Sequence, residues 1–168
     1  MTKESSAASD ILKYLLRNRC GTLVVGVNKL QKQNSGMGHV NNQSYVQVPL
    51  YSFRRMLKYL CERHSIVYVE REESYTSKAS FLDMDYIPTY NVDDGGAVFS
   101  GKRIRRGLYR SGNGTVVNAD INAAGNILRK EYPDIFAGVD LNVFKEPRVV
   151  RFYDLYQKRN PVIRIAAV

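Results

Sequence analysis

The sequence has little cysteine and little histidine. Its two cysteines, Cys20 and Cys61, stand far apart and form no CxxC pair. That excludes a disulfide scaffold and a four-cysteine zinc site. His39 and His64 complete no recognised ligand spacing, so all four residues read as structural or surface positions. No apolar run approaches the ~18 residues that a membrane span needs. The opening Met-Thr-Lys-Glu-Ser-Ser holds no signal-peptide core, so the expected location is the cytoplasm. No internal repeat is present. Acidic residues are also scarce, 16 against 25 lysines and arginines, leaving a formal net charge of +9.

Such an excess of positive charge favours a polyanionic partner. The remaining composition, 44% hydrophobic and 24% charged, is that of a globular chain able to bury a core. A length of 168 residues fits one domain, or one domain with a tail.

Residues 7–19 read as a helix, with Ile11, Leu12, Leu15 and Leu16 on one face and Gly21 at its end. Thr22 to Val27 is a short apolar run typical of a strand buried on both faces. Residues 28–47 read as a loop, briefly extended over Ser44 to Val48. Pro49 can open a second helix, whose stripe is Leu50, Phe53, Met56, Leu57 and Leu60, running to about Arg63. Ile66 to Val69 is a second apolar strand. Strand, helix and strand in this order suggest a β-α-β unit in a parallel sheet, hence an α/β fold.

Residues 79–97 are irregular, with turn signals at Pro88 and Asp93-Asp94-Gly95-Gly96. Residues 98–118 read as a hairpin turning at Asn113-Gly114. Asn118 can cap a helix from about Ala119 to Lys130. Residues 131–168 show no clear period and read as a tail with a few short packed pieces.

Three local features carry chemistry. The first is Glu70-Arg71-Glu72-Glu73 after the second strand. Active sites of open α/β sheets lie beyond the carboxyl ends of strands. The plainer reading is a solvated charge run. The second is Asp120 in the first turn of the last helix, followed by Ala123, Ala124 and Gly125. Asp120 can complement the helix dipole, while the small residues let the helix dock closely and hold that carboxylate in place. The third is Lys102, Arg103, Arg105, Arg106 and Arg110, five cations near an aromatic side chain. Cations this dense suit sequence-independent, salt-sensitive phosphate contacts. Carboxylates from separate elements suit phosphodiester cleavage, because two divalent ions about 4 Å apart promote it and hard ions prefer oxygen ligands.

The segments GTLVVGVNKLQKQ (21–33), NNQSYVQVPLYSFRRMLKYLCERHSIVYVEREESYTSKASFLDMDYIP (41–88) and FSGKRIRRGLYRSGNGTVVNADINAAGNILRK (99–130) resemble the C-terminal half of TnpB proteins. These are RNA-guided nucleases of insertion sequences, related to compact type V CRISPR effectors. The resemblance covers about residues 7–135, and its most specific blocks are Tyr75-Thr76-Ser77-Lys78 and Asn118 to Ile127.

The resemblance implies a partial RNase H-like (RuvC) core over 1–78, a target-nucleic-acid-binding insert over 79–117, a final RuvC helix over 118–135 and a tail over 136–168. It implies three magnesium-binding acids. Asp120 matches the last of them. The usual position of the middle one reads Val25-Gly26-Val27-Asn28, without an acid. Glu73, with Glu72 adjacent, matches an alternative position before the Tyr-Thr-Ser block. Lys78 joins the five hairpin cations as a nucleic-acid contact. The insert's zinc cysteines are missing, Ala79-Ser80-Phe81-Leu82 standing for the first pair. No zinc is therefore expected, and packing by Phe81, Ile87, Phe99 and Leu108 is expected instead.

The first catalytic aspartate of the family belongs to a strand upstream of residue 1. The expectation is therefore a DNA-binding fragment, inactive alone, with guide RNA left open as a second partner. Without that strand the 22–27 strand has an open apolar edge, which favours self-association or a separate N-terminal half. Two other functions compete. One is a non-catalytic nucleic-acid-binding regulator. The other is an active magnesium nuclease using Glu70, Glu72 or Asp10 as a substitute ligand.

Overall fold

The computed structural model describes residues 3–28, 50–93 and 95–146. Pro49, His39, the 44–48 segment, most of the 28–47 loop and residues 147–168 lie outside the described residues. The chain divides into two compact units. The first contains, of the described residues, 3–23 and 50–69; the second contains 24–28, 70–93 and 95–146.

The first unit is a pair of packed helices, α1 (Lys3–Arg17) and α2 (Leu50–Arg63). Their buried side chains are apolar apart from Asp10: Ala8, Leu12 and Leu15 on α1, Leu57 and Cys61 on α2. Hiding a leucine as fully as Leu57 contributes roughly 1.5–3 kcal/mol. Ile11 stays half-buried, whereas Leu16 and Leu50 are exposed, so both stripes are narrower than their sequence pattern.

Both helices stop in the same way. Arg19 takes a left-handed φ of 53°, the Cys20 N–H donates to Leu15 O and the Arg19 N–H to Leu16 O. Ser65 repeats this at φ 57°, with Ile66 N–H to Cys61 O and Ser65 N–H to Glu62 O. These turns satisfy the last free carbonyls and swing the chain into a strand. The first stop is thus made at Arg19, two residues before the glycine that the sequence suggested.

The strands that follow are β1 (Thr22–Val27) and β2 (Val67–Glu72), hydrogen-bonded neighbours. Val67 N–H donates to Gly21 O and Glu73 N–H to Val27 O. The same offset at both ends makes the pair parallel, as the β-α-β pattern requires. β2 runs through Glu72, so most of the acidic run lies within the strand and Glu73 is the first residue after it.

The second unit holds a three-stranded antiparallel meander of β3 (Lys102–Arg105), β4 (Leu108–Arg110) and β5 (Val116–Asn118). The single hairpin read over 98–118 is two hairpins sharing β4. The additional turn is made by Gly107 at φ 76°, and the Asn113-Gly114 turn places Gly114 at φ 87°. Both are backbone states that glycine adopts without steric penalty. A bulge separates Arg103 from Arg105.

Tyr109, Val117 and Ala119 form the core of this region, with Leu82 packed against them. This corrects the expected packing set. Leu108 is only half-buried, because alternation along β4 turns Tyr109 rather than Leu108 inward, and Ile87, outside the strands, is half-buried too. Phe99 stacks on Tyr75. Phe81 joins Phe136 and Phe144 edge to face, with centroids 4.9 and 5.2 Å away. Phe144 ends a short 3-10 helix, Leu141–Phe144.

Candidate carboxylate site and nucleic-acid surface

Helix α3 (Ala119–Glu131) organises the second unit. Asn118 caps it, accepting from the N–H groups of Asp120 at 2.8 Å and Ile121 at 3.2 Å. Four and eight residues further on, Asn122 and Asn126 are completely buried. Asn122 accepts from Phe81 N–H at 2.9 Å and donates to Ala79 O at 2.8 Å. Asn126 donates to both Thr76 O and Ala79 O. Arg129 continues the ladder by donating to Asn126 Oδ1, Met84 O and Asp85 O. Lys130 donates to Glu72 at 2.6 Å and to Ser74 O at 2.9 Å. One helix thereby satisfies the backbone of an irregular loop that has no sheet to pair with.

Gly125 lies within this ladder. A Cβ added there would stand 2.7 Å from the Phe81 ring, which explains the small-residue run as close docking. The paired asparagines are what sequence reasoning missed. Their spacing on one helical face was visible, but a buried amide and a solvated amide look identical in a sequence.

The loop is further tied to the meander by a polar clasp. Ser80 Oγ donates to Asp83, Ser100 Oγ donates to Asp85, and the N–H groups of Ser80, Ser100 and Gly112 all donate to one of these two aspartates. Ser80 and Asp83 have the two-residue separation of a CxxC pair. Hydrogen bonds join the loop segments here. Tyr109 closes the clasp, its hydroxyl donating to Lys78 O at 2.7 Å. Burial, reinforced by the negative charge of Asp85, pushes its pKa up to about 12.

The five hairpin cations are all exposed on or beside β3 and β4. Lys102 stands directly opposite Arg110, and Arg103 opposite Tyr109. Among the described residues no side chain offers these five cations an ion pair or hydrogen bond. Like charges set opposite each other destabilise a bare sheet. Lys78 is exposed as well, its Nζ 5.5 Å from the Tyr75 ring centroid. The Tyr109 bond and the Tyr75–Phe99 stack join Lys78 to the meander.

The acidic residues separate sharply. Glu72 is occupied by Lys130 and by Ser74 N–H. Burial opposes its ionisation, but those hydrogen bonds and the ammonium charge outweigh it and hold the carboxyl below its ordinary range. Glu73 is half-buried, and its carboxylate has no hydrogen-bond partner among the described residues. A Cβ on Gly26 would fall 3.0 Å from Glu73 Oε2 and 2.6 Å from Ile127 Cδ1. Asp120, exposed and also without a partner among the described residues, precedes Ile127 by two helical turns on the same face of α3. Asp10 belongs to the first unit, buried and paired with Lys13 at 3.2 Å. Glu70 is exposed on β2. No three acidic, histidine or cysteine side chains gather as a metal site among the described residues.

Residues 51–127, a little under half of the chain, match the family model described as Cas12f1-like, TNB domain. The comparisons with curated proteins and with solved structures find no match. The matched segment is thus similar to a TnpB/Cas12-related domain.

Proposed function

We propose that this chain is a DNA-binding portion of a TnpB-like RNA-guided nuclease, inactive in strand cleavage by itself. The observation that carries the reading is the exposed meander: five cations without partners among the described residues, inside the segment that matches the Cas12f1-like TNB model. Phosphates from a nucleic acid would neutralise them. The contacts are to backbone, so affinity depends on salt rather than on base sequence.

Glu73 and Asp120 are the two acids of an incomplete RuvC-type centre on an RNase H-like core, in this reading. Their free carboxylates suit magnesium, which is commonly held by one or two carboxylates with water completing its shell. When bound, the ion would supply charge stabilisation for phosphodiester hydrolysis. With no third acid beside them among the described residues, cleavage awaits a ligand from elsewhere. β1 has β2 as its one described neighbour, so an added strand could come from a second copy or an N-terminal half. A monodisperse monomer in light scattering would remove self-association from the proposal.

The test is a DNA-binding titration across a salt series. The wild-type plot of log affinity against log salt should be steep. Replacing Arg103, Arg105 and Arg106 by alanine should reduce its slope by about two to three, at ~0.9 per neutralised phosphate. An unchanged slope would remove the meander from the interface. Plasmid nicking with magnesium should be absent. Nicking that Asp120→Asn abolishes would instead favour an active nuclease.

A further inference from the structure

The outward face of α2 carries a pattern that neither the meander nor the acidic residues explain. Tyr51 and Tyr59 are 66% and 56% exposed, far more than a helix needs when its inward face already buries Leu57 and Cys61. Each tyrosine has an arginine four residues later. The Arg55 guanidinium lies 5.8 Å from the Tyr51 centroid, and that of Arg63 lies 5.7 Å from the Tyr59 centroid. Arg63 also donates to the Tyr59 hydroxyl at 3.5 Å. Lys58 lies between them, loosely paired with Glu62 at 3.9 Å and exposed like its partner. The stripe therefore reads aromatic, cation, aromatic, cation along one side of the helix, with a positive excess.

We infer that this stripe is a second nucleic-acid surface, for single strands, with Tyr51 and Tyr59 as base-stacking platforms. Each arginine steadies one side of its ring by cation–π contact and leaves much of the ring open. An eight-residue separation on a helix is about 12 Å, a span of three to four stacked nucleotides at ~3.4 Å each. Arg55, Lys58 and Arg63 then lie alongside the phosphates. Alternating rings and cations are what a single strand requires, because every base has a π-face whatever its identity. A duplex keeps its bases stacked internally and offers them to no ring. The surface thus goes beyond the proposed DNA-binding meander, whose phosphate contacts treat both forms alike.

The competing explanation is that the Tyr–Arg pairs only stiffen α2. Fluorescence anisotropy on the full chain separates the two, using labelled single-stranded RNA, single-stranded DNA and duplex DNA of one sequence. Tyr51→Ala with Tyr59→Ala should weaken single-strand binding by about tenfold or more, the usual scale for losing stacked bases, with duplex binding unchanged. Tyr51→Phe with Tyr59→Phe should retain binding, since the rings remain. Equal losses for RNA and DNA would identify base stacking as the shared chemistry; a greater loss for RNA would add ribose hydroxyl contacts to it. Unchanged single-strand affinity, or an equal loss on duplex, would overturn the inference. Circular dichroism confirms that α2 survives in each variant. A meander variant that loses all binding while the tyrosine variant loses none would sink this surface and leave the meander standing. The reverse result would do the opposite.

Discussion

The two units solve the problem of holding a chain together with opposite materials. The α1–α2 pair relies on aliphatic burial, with Leu12, Leu15 and Leu57 almost fully covered. The loop over 74–85 relies on polar groups, with Asn122, Asn126, Ser80 and Thr76 buried as deeply. The helices satisfy their own backbones, so their contact can be mainly apolar, with Asp10 the buried exception. The loop cannot, and α3 supplies the missing donors and acceptors. The difference teaches that a short irregular segment gains rigidity from fully satisfied hydrogen bonds where its apolar core is small.

The sharpest way to break the contrast is to injure each region in its own terms. Leu57→Ala should cost the most, about 2–5 kcal/mol by chemical denaturation, since a cavity joins the lost transfer energy. Hydrogen exchange should show the loss concentrated in α1 and α2. Asn126→Ala should follow at about 1–3 kcal/mol, since Thr76 O loses its Asn126 donor and Ala79 O keeps only Asn122, and its exchange signature should fall on residues 74–85. If that variant leaves the loop protected, the polar ladder is not what holds it.

Gly125→Ala sharpens the picture at about 1–3 kcal/mol. The new methyl meets the rigid Phe81 ring rather than a flexible chain end. Glu72→Gln is the smallest, about 0.5–1 kcal/mol for a partly exposed pair. Its value lies in the pH dependence. The folded carboxyl titrates below its ordinary value of 4.5, so its contribution is present above that value and fades as pH falls through the lower folded value. The wild type should lose this increment in acid, and Glu72→Gln should flatten that part of the stability profile. An unchanged profile would mean that Lys130 contributes nothing through Glu72.

Much of the scaffold was legible locally. Helical spacing marked α1 and α2, and the Asn118 cap, which marked α3, formed as its residue type predicts. The second turn of the meander was not legible because Arg106-Gly107 lies inside a cationic run, whose composition signals a charged surface rather than a turn. Extending β2 to Glu72 was equally hidden, since a charged strand end has the composition of a loop. The acids were found as a group, but their inequality was not. Glu72 and Glu73 are neighbours in sequence and differ only in what lies across from them.

The amino-acid order alone determined the helices, the turn-bearing glycines, the dense cationic run and the resemblance that the TNB match supports, because these are properties of neighbours along the chain. Tertiary structure alone decided that Glu72 is tied to Lys130 while Glu73 has no carboxylate partner among the described residues, that two asparagines anchor a loop more than forty residues away, and that Tyr109 rather than Leu108 faces inward. Such choices depend on which groups meet across long sequence separations and lose their water there, and no local pattern encodes that meeting.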